Sequence, residues 1–315
     1  MPASLQDRWD SSVQHLVVDL TQSVQRENKQ LSVHSQLDPT VSDAISATSE
    51  KWFNKVFMLY HEPHRAYHNW THVEDVLASL DFLLKERIQQ QMGCIQRDVT
   101  ITTLAAFFHD VIYNPKSSTN ERDSADLFLE FVAELVVVIS SSSASETEAH
   151  KSSTIAATAM KSEITSAVAE CIIASATHIA SAMQAKRSNN QIVAIFLDAD
   201  ISILGKCSNV YDRYASSIRK EYIFVEKNVY CEKRAEILES FLPVGCAPDA
   251  NGTENAQERE TKASSQSKSR KAHQFIFATE DGQSEWEDNA RRNLRREVEM
   301  LQRGVIPCEE VNCPV

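Results

Sequence analysis

The sequence predicts an all-α fold, and three observations carry that expectation. Gly and Pro are scarce, 6 and 8 in 315 residues, too few for the tight turns of a β-rich chain. Ala, Leu, Glu, Lys and Arg, the strong helix formers, are plentiful. Apolar residues recur at three- and four-residue steps along most of the chain.

Residues 5–26 place Leu5, Trp9, Val13, Leu16, Leu20 and Val24 on one helical face. Residues 41–60 continue in that period and end in Trp52, Val56 and Leu59, after which Pro63 argues against helix through 61-HEPH-64. Two further helices are expected over 70–92 and 97–113. The stretch 114-NPKSSTN-120 reads as a loop, with Pro115 stopping the preceding helix and Thr119 or Asn120 available to cap the next. Residues 154–180 and 191–242 are helical in period, and 275–304 ends in a helix with Trp286, Ala290, Leu294, Val298 and Leu301 on one face. Two stretches offer almost nothing to bury: the Ser-rich residues 139–153 and the polar residues 244–274. Both are expected to be disordered insertions in one all-α domain spanning 1–315. The sequence contains no internal repeat and no Gly-rich phosphate loop.

The net charge of −12 argues against a general nucleic-acid binder, because phosphate contacts need clustered Lys and Arg. It is compatible with a small anionic substrate held beside a metal. No run approaches the ~18–20 apolar residues of a membrane span, and the N-terminus carries neither a secretory nor a transit pattern. A cytoplasmic location with no membrane partner is therefore expected. The 7 cysteines are odd in number and form no C-x-x-C pair, so neither a disulfide framework nor a thiolate zinc site is expected.

Four places break the apolar pattern. In 105-AAFFHDVIY-113, His109 and Asp110 interrupt a run fit for burial, and a buried carboxylate needs a partner. In 67-YHNWTHVEDVL-77, His68 and His72 are four apart, one turn above each other if the segment is helical. His178 closes the apolar stretch 171-CIIASATHIA-180, and Asp198 and Asp200 sit inside 193-VAIFLDADISILG-205. Each alone has an ordinary reading: a satisfied core histidine, or Asp198 as the cap of a helix starting at Ala199. Two carboxylates two apart on a helix diverge by about 200°, so only one of Asp198 and Asp200 serves a given site. Together, imidazoles and carboxylates from three helices make a mixed donor set suited to Mg²⁺ or a divalent first-row metal.

The order H … HD … D within helices resembles the HD superfamily of metal-dependent phosphohydrolases. Tyr67-His68-Asn69-x-x-His72-Val73-x-Asp75-Val76 is similar to the opening of the cyclic nucleotide phosphodiesterase signature. More phrases are shared with a group of predicted HD phosphohydrolases. They are Phe108-His109-Asp110-x-x-Tyr113, Asn120-Glu121-x-x-Ser124-Ala125, Phe196-Leu197-Asp198-Ala199-Asp200, Tyr214-x-x-x-x-Arg219-x-Glu221-Tyr222 and Ala290-Arg291-Arg292-Asn293-Leu294. The chain departs from the group's TxxH phrase, because His178 follows Thr177 directly.

The resemblance implies an HD-type helical bundle with its core over about 50–302. It implies His72, His109, Asp110 and Asp200 as ligands of a divalent cation (Mn, Mg, Co, Ni, Zn or Fe). Asp198 is the reserve for Asp200, and Asp110 is open to bridging a second ion. His68 is implied as a general acid, its alternative being a structural bond to a neighbouring helix. The implied reaction is hydrolysis of a small phosphorylated metabolite, such as a nucleotide, by metal-activated water. Lys116, Arg219, Arg65 and Arg122 are candidates for holding the phosphate, or else surface residues; Arg219 is alternatively an ion-pair partner of Glu221 or Glu121. Asn120, Glu121 and His178 are candidates for orienting ligands or water, with Asn120 alternatively a helix cap. Two other functions remain in view: a di-iron oxygenase of the same fold, which needs further histidines, and a non-catalytic nucleotide- or metal-binding sensor.

Overall fold

The helix α4 (Ile95–Phe108) is apolar on nearly every side, and the chain is organised around it. In the computed structural model, which describes residues 4–27, 38–89, 95–140, 161–242 and 274–307, the architecture is all-α, with no strand among those residues. The remaining helices are α1 (Leu5–Glu27), α2 (Pro39–Leu59), α3 (Trp70–Gln89), α5 (Asn120–Ser140), α6 (Glu163–Ser175) and α7 (His178–Ser188). They are followed by α8 (Gln191–Asp200), a 3₁₀ turn (Ile201–Gly205), α9 (Ser208–Glu221), α10 (Lys227–Phe241) and α11 (Glu280–Gln302). No described helix is long and apolar enough to cross a membrane.

Local chemistry sets many of the boundaries. Asp38 accepts from Thr40 N ahead of Pro39 and starts α2. Ser162, Asn190, Glu226 and Thr279 cap α6, α8, α10 and α11 through their side chains. Asn189, at φ 55°, takes the left-handed conformation that closes α7.

Around α4 pack α1, α3, α5, α6 and α8. Trp9 of α1 is fully buried, with ring centroids 5.3 Å from Phe107, 5.7 Å from Phe108 and 5.4 Å from Phe131. The N-terminal helix thus belongs to the same core as the stretch 50–302. At the other side α11 lies against α10 and the 3₁₀ turn. Gly205 permits that approach: a Cβ there would fall 2.3 Å from Trp286 Cβ.

Several expected boundaries move. The helix expected over 97–113 ends at Phe108, so His109 and Asp110 occupy the turn after it. The expected helix 70–92 begins at Trp70, where Asn69 Oδ1 caps Thr71 N at 3.0 Å; His68 therefore lies in the preceding loop, not one turn below His72 on a shared helix. Residues 161–180 and 191–242 divide at Ala176–Thr177, Lys206–Cys207 and Tyr222–Glu226, while 154–160 of the expected 154–180 and 90–92 of the expected 70–92 lie outside the described residues. Of the two expected insertions, Ile139 and Ser140 finish α5 and Gln274 is described; 141–153 and 244–273 lie outside the described residues.

Candidate metal centre

Two helices point their C-terminal ends, which carry partial negative charge, at one spot. α4 delivers His109 and Asp110 in the turn that follows it, and α8 delivers Asp200 as its last residue. The first turn of α3 supplies His72, 3% exposed. His72 Nε2 stands 3.1 Å from His109 Nε2, 3.2 Å from Asp200 Oδ1 and 3.7 Å from Asp110 Oδ2. His109 Nε2 stands 3.1 Å from Asp110 Oδ2 and 3.5 Å from Asp200 Oδ1. Donors bound at about 2.1 Å to one ion sit roughly 3.0 Å apart along an octahedral edge and about 3.4 Å apart along a tetrahedral one. The observed spacings fall around those values, and the His72–His109–Asp110 group can hold a metal ion.

The protonation pattern fits a cation as well. His109 Nδ1 donates to the Ala106 carbonyl at 3.0 Å, which leaves Nε2 as the nitrogen that faces the cluster. His72 Nδ1 is buried and finds no hydrogen-bond partner among the described residues. Two imidazole nitrogens facing each other in the interior need a positive charge between them. Burial opposes an imidazolium at His109, yet the nearby Asp110 and Asp200 carboxylates push its pKa well above the usual imidazole value. Burial likewise opposes ionisation of Asp110 and Asp200, but the His109 charge and hydrogen bond hold both below the usual carboxylate range. The field at this point calls for a cation.

Next to the four donors opens a cleft of about 560 Å³, bordered by His68, Tyr113, Glu121, His178, Tyr222 and Arg234 as well as by His72, Asp110 and Asp200. His68 Nδ1 donates to Glu221 Oε2 at 2.7 Å, which commits that nitrogen and leaves Nε2 as the free one. Glu221 also accepts from Tyr67 N at 2.7 Å, His68 N at 2.9 Å and the Tyr113 hydroxyl at 2.7 Å. Burial disfavours a charged His68, but the Asp110 charge and the Glu221 hydrogen bond raise its pKa overall. Arg65 braces this loop. Its guanidinium, with a side chain 0% exposed, donates to Glu62, to the His68 and Asp110 carbonyls and to the Val111 carbonyl. It is a strut, not a phosphate holder.

The two aspartates of α8 diverge as their spacing requires. Asp200 faces the imidazoles, and His178 Nε2 donates to its Oδ2 at 2.7 Å. Asp198 faces away and accepts from Ala278 N at 2.7 Å, Thr279 N at 2.8 Å and Thr279 Oγ1 at 2.6 Å. It therefore pins the N-terminus of α11 instead of capping a helix at Ala199 or binding the cation.

Arg219 does not reach the cleft. Its guanidinium donates to the Tyr222 and Val225 carbonyls, both at 2.9 Å, and lies over the Tyr230 ring, holding the turn between α9 and α10. Lys116 is exposed and sits over the Phe224 ring, and Arg122 is exposed. Asn120 clasps the loop before α5 by exchanging hydrogen bonds with the Asn114 backbone, both at 3.0 Å. Glu121 borders the cleft.

Two residues escaped sequence reasoning in these roles: Glu221 behind His68, and Arg234 in the cleft wall. Glu221 entered only as a partner for Arg219, although the Arg219-x-Glu221-Tyr222 phrase contains it. Arg234 carried no signal, being one charge among many on α10, whose apolar residues do not gather on one face. No family model, curated protein or solved structure matches the chain.

Proposed function

We propose that this protein is a metal-dependent phosphohydrolase acting on a small phosphorylated substrate, a nucleotide in the first instance. The convergence of His72, His109, Asp110 and Asp200 from three helical segments at the edge of an open cleft carries the reading. Those four residues would hold one divalent cation, which supplies Lewis-acid charge for the phosphoryl oxygens and lowers the pKa of a water.

The remaining roles belong to the chain itself. Glu221 fixes the His68 ring and tautomer and favours its protonated form, so that Nε2 delivers a proton to the leaving oxygen. Tyr113 stacks on His68 with centroids 4.3 Å apart and restrains the ring from the other side. His178 aligns Asp200 by holding its outer oxygen. Arg65 ties the carbonyls of His68 and Asp110 to one guanidinium, keeping acid and ligand in register.

The oxygenase alternative needs further imidazoles for a second ion. Between Asp110 and Asp200 only His178 is present among the described residues, which disfavours it. The direct test is phosphate release from a panel of nucleotides and sugar phosphates with Mn²⁺, Mg²⁺, Co²⁺ or Ni²⁺, alongside metal content per chain. Release that depends on the added ion and vanishes in His109→Ala supports the reading. Two irons per chain with an O₂ requirement overturn it.

A further inference from the structure

Charge in the cleft is tightly limited. Its lining acids are Asp110, Glu121 and Asp200; it contains no lysine, and Arg234 is the one guanidinium among the described lining residues. Arg234 is itself already matched. Its Nε donates to Glu297 Oε1 at 3.0 Å, with Glu297 only 1% exposed, and Nη2 donates to the Tyr214 hydroxyl at 3.1 Å. Three carboxylates line the cleft, and the His68 imidazole is already paired with the buried Glu221 carboxylate, so one divalent ion leaves no surplus positive charge before substrate enters. A monophosphate adds a charge of about −2 beside that ion. Each further phosphate adds negative charge with no cation left to meet it, in a site where such charge is poorly screened.

The other walls are of a different kind. Tyr67, Tyr214, Tyr222, Ile237, Leu238 and Phe241 present rings and aliphatic groups and no formal charge. A cleft of about 560 Å³ lies within the usual range for sites that enclose a small ligand. Arg234 has no described partner for Nη1, and with its charge spent on Glu297 that group suits a neutral hydrogen-bond acceptor.

We infer that the substrate carries a single phosphoryl group, not a pyrophosphate chain, on an uncharged ring-bearing body such as a nucleoside. The phosphoryl group lies at the His72–His109–Asp110–Asp200 end and the body among Tyr214, Tyr222 and Phe241. Arg234 is the specificity-determining contact to the body. The inference rests on the metal centre and cleft of the proposed function and adds the substrate class.

The experiment is calorimetric titration of the full chain in excess Mn²⁺ with the 5′-mono-, di- and triphosphates of adenosine, guanosine, cytidine and uridine, and with ribose 5-phosphate. Phosphate release is followed in parallel. The expected result is that the best monophosphate binds at least ten-fold more tightly than its triphosphate and than ribose 5-phosphate. A triphosphate that binds equally or better, a ribose phosphate that binds as well, or no binding in any series overturns the inference. Phosphate release separates the two readings: tight monophosphate binding without release sinks the hydrolase and leaves the substrate class standing, whereas preferred triphosphate hydrolysis does the reverse. Arg234→Met alone leaves Glu297 buried and unpaired, so the variant is R234M with E297Q. It is expected to weaken monophosphate binding at least ten-fold without loss of bound Mn²⁺. Unchanged binding removes Arg234 from the site.

Discussion

His178 donates through Nε2 to one oxygen of Asp200 at 2.7 Å, while the other oxygen of that carboxylate stands 3.2 Å from His72 Nε2. One carboxylate thus links an orienting imidazole on α7 to the donor cluster between α3 and α4. Partners of this kind set ligand orientation, and their loss commonly weakens metal affinity 10–100-fold. His178→Ala is expected to do the same in an equilibrium Mn²⁺ titration while leaving a measurable site. Unaltered affinity makes the contact idle, and total loss makes His178 a ligand in its own right.

An ion held by His72, His109, Asp110 and Asp200 binds the folded chain and not the unfolded one. Mn²⁺ at 100 times its Kd then adds about 2.7 kcal/mol of stability. The wild-type melting temperature should rise with added ion and fall back with a chelator. In His109→Ala and Asp110→Ala it should be insensitive to both, and activity should disappear with the metal.

Removal of a general acid typically lowers turnover 10²–10⁴-fold. His68→Ala is expected to do so with metal content intact. Glu221→Gln should cost less and act differently. The Glu221 hydrogen bond and charge help raise the His68 pKa, so the neutral amide lowers it and the alkaline limb of the kcat profile moves to lower pH. A profile that does not move leaves Glu221 with a structural role alone.

The histidine–aspartate pair was legible because a charge inside an apolar run shows in one dimension, and so was the face of α1 that buries Trp9. The divergence of Asp198 and Asp200 followed from helix geometry. The dyad of His68 and Glu221 was not legible: its members lie 153 positions apart, and hydrophobic periodicity says nothing of polar pairs at that range. The Arg234–Glu297 pair spans 63 positions between two helices rich in exposed charge, where a buried pair looks like any other. Helix ends were missed for a related reason. Asn69 and Asn190 start helices by side-chain caps that leave the apolar period on either side unbroken.

Acid stability follows from the same dyad. Burial opposes ionisation of Glu221, but hydrogen bonds from His68, Tyr67 N and Tyr113 together bring its pKa from 4.5 down to about 2. A carboxylate depressed in the folded state stabilises the fold above its unfolded value, and that contribution is lost as pH falls from about 4.5 towards 2. The loss is on the order of 3 kcal/mol. Urea unfolding across this window should show a shallower decline for Glu221→Gln than for wild type, and parallel curves would remove the linkage.

Asp198 and Asp200 lie on opposite sides of the last turn of α8 and serve different ends, and substitution should separate them. Asp198 satisfies the Ala278 and Thr279 amides and the Thr279 hydroxyl, and Thr279 in turn caps α11 through Gly282 N. Each buried donor left without a partner costs about 1–3 kcal/mol. Asp198→Ala should therefore destabilise the chain by several kcal/mol in urea unfolding, with bound Mn²⁺ per folded chain unchanged. Asp200→Ala removes the carboxylate that faces the imidazoles and leaves the Ala278 and Thr279 bonds to Asp198 in place, so its Mn²⁺ affinity should collapse while the anchorage of α11 is kept. The packing around Asp198 gives an independent check. A Cβ at Gly282 would lie 2.6 Å from Asp198 Oδ2, so Gly282→Ala should reproduce the stability loss of Asp198→Ala without touching the donor cluster. If Asp198→Ala emptied the site and Asp200→Ala did not, the two carboxylates would have to exchange roles.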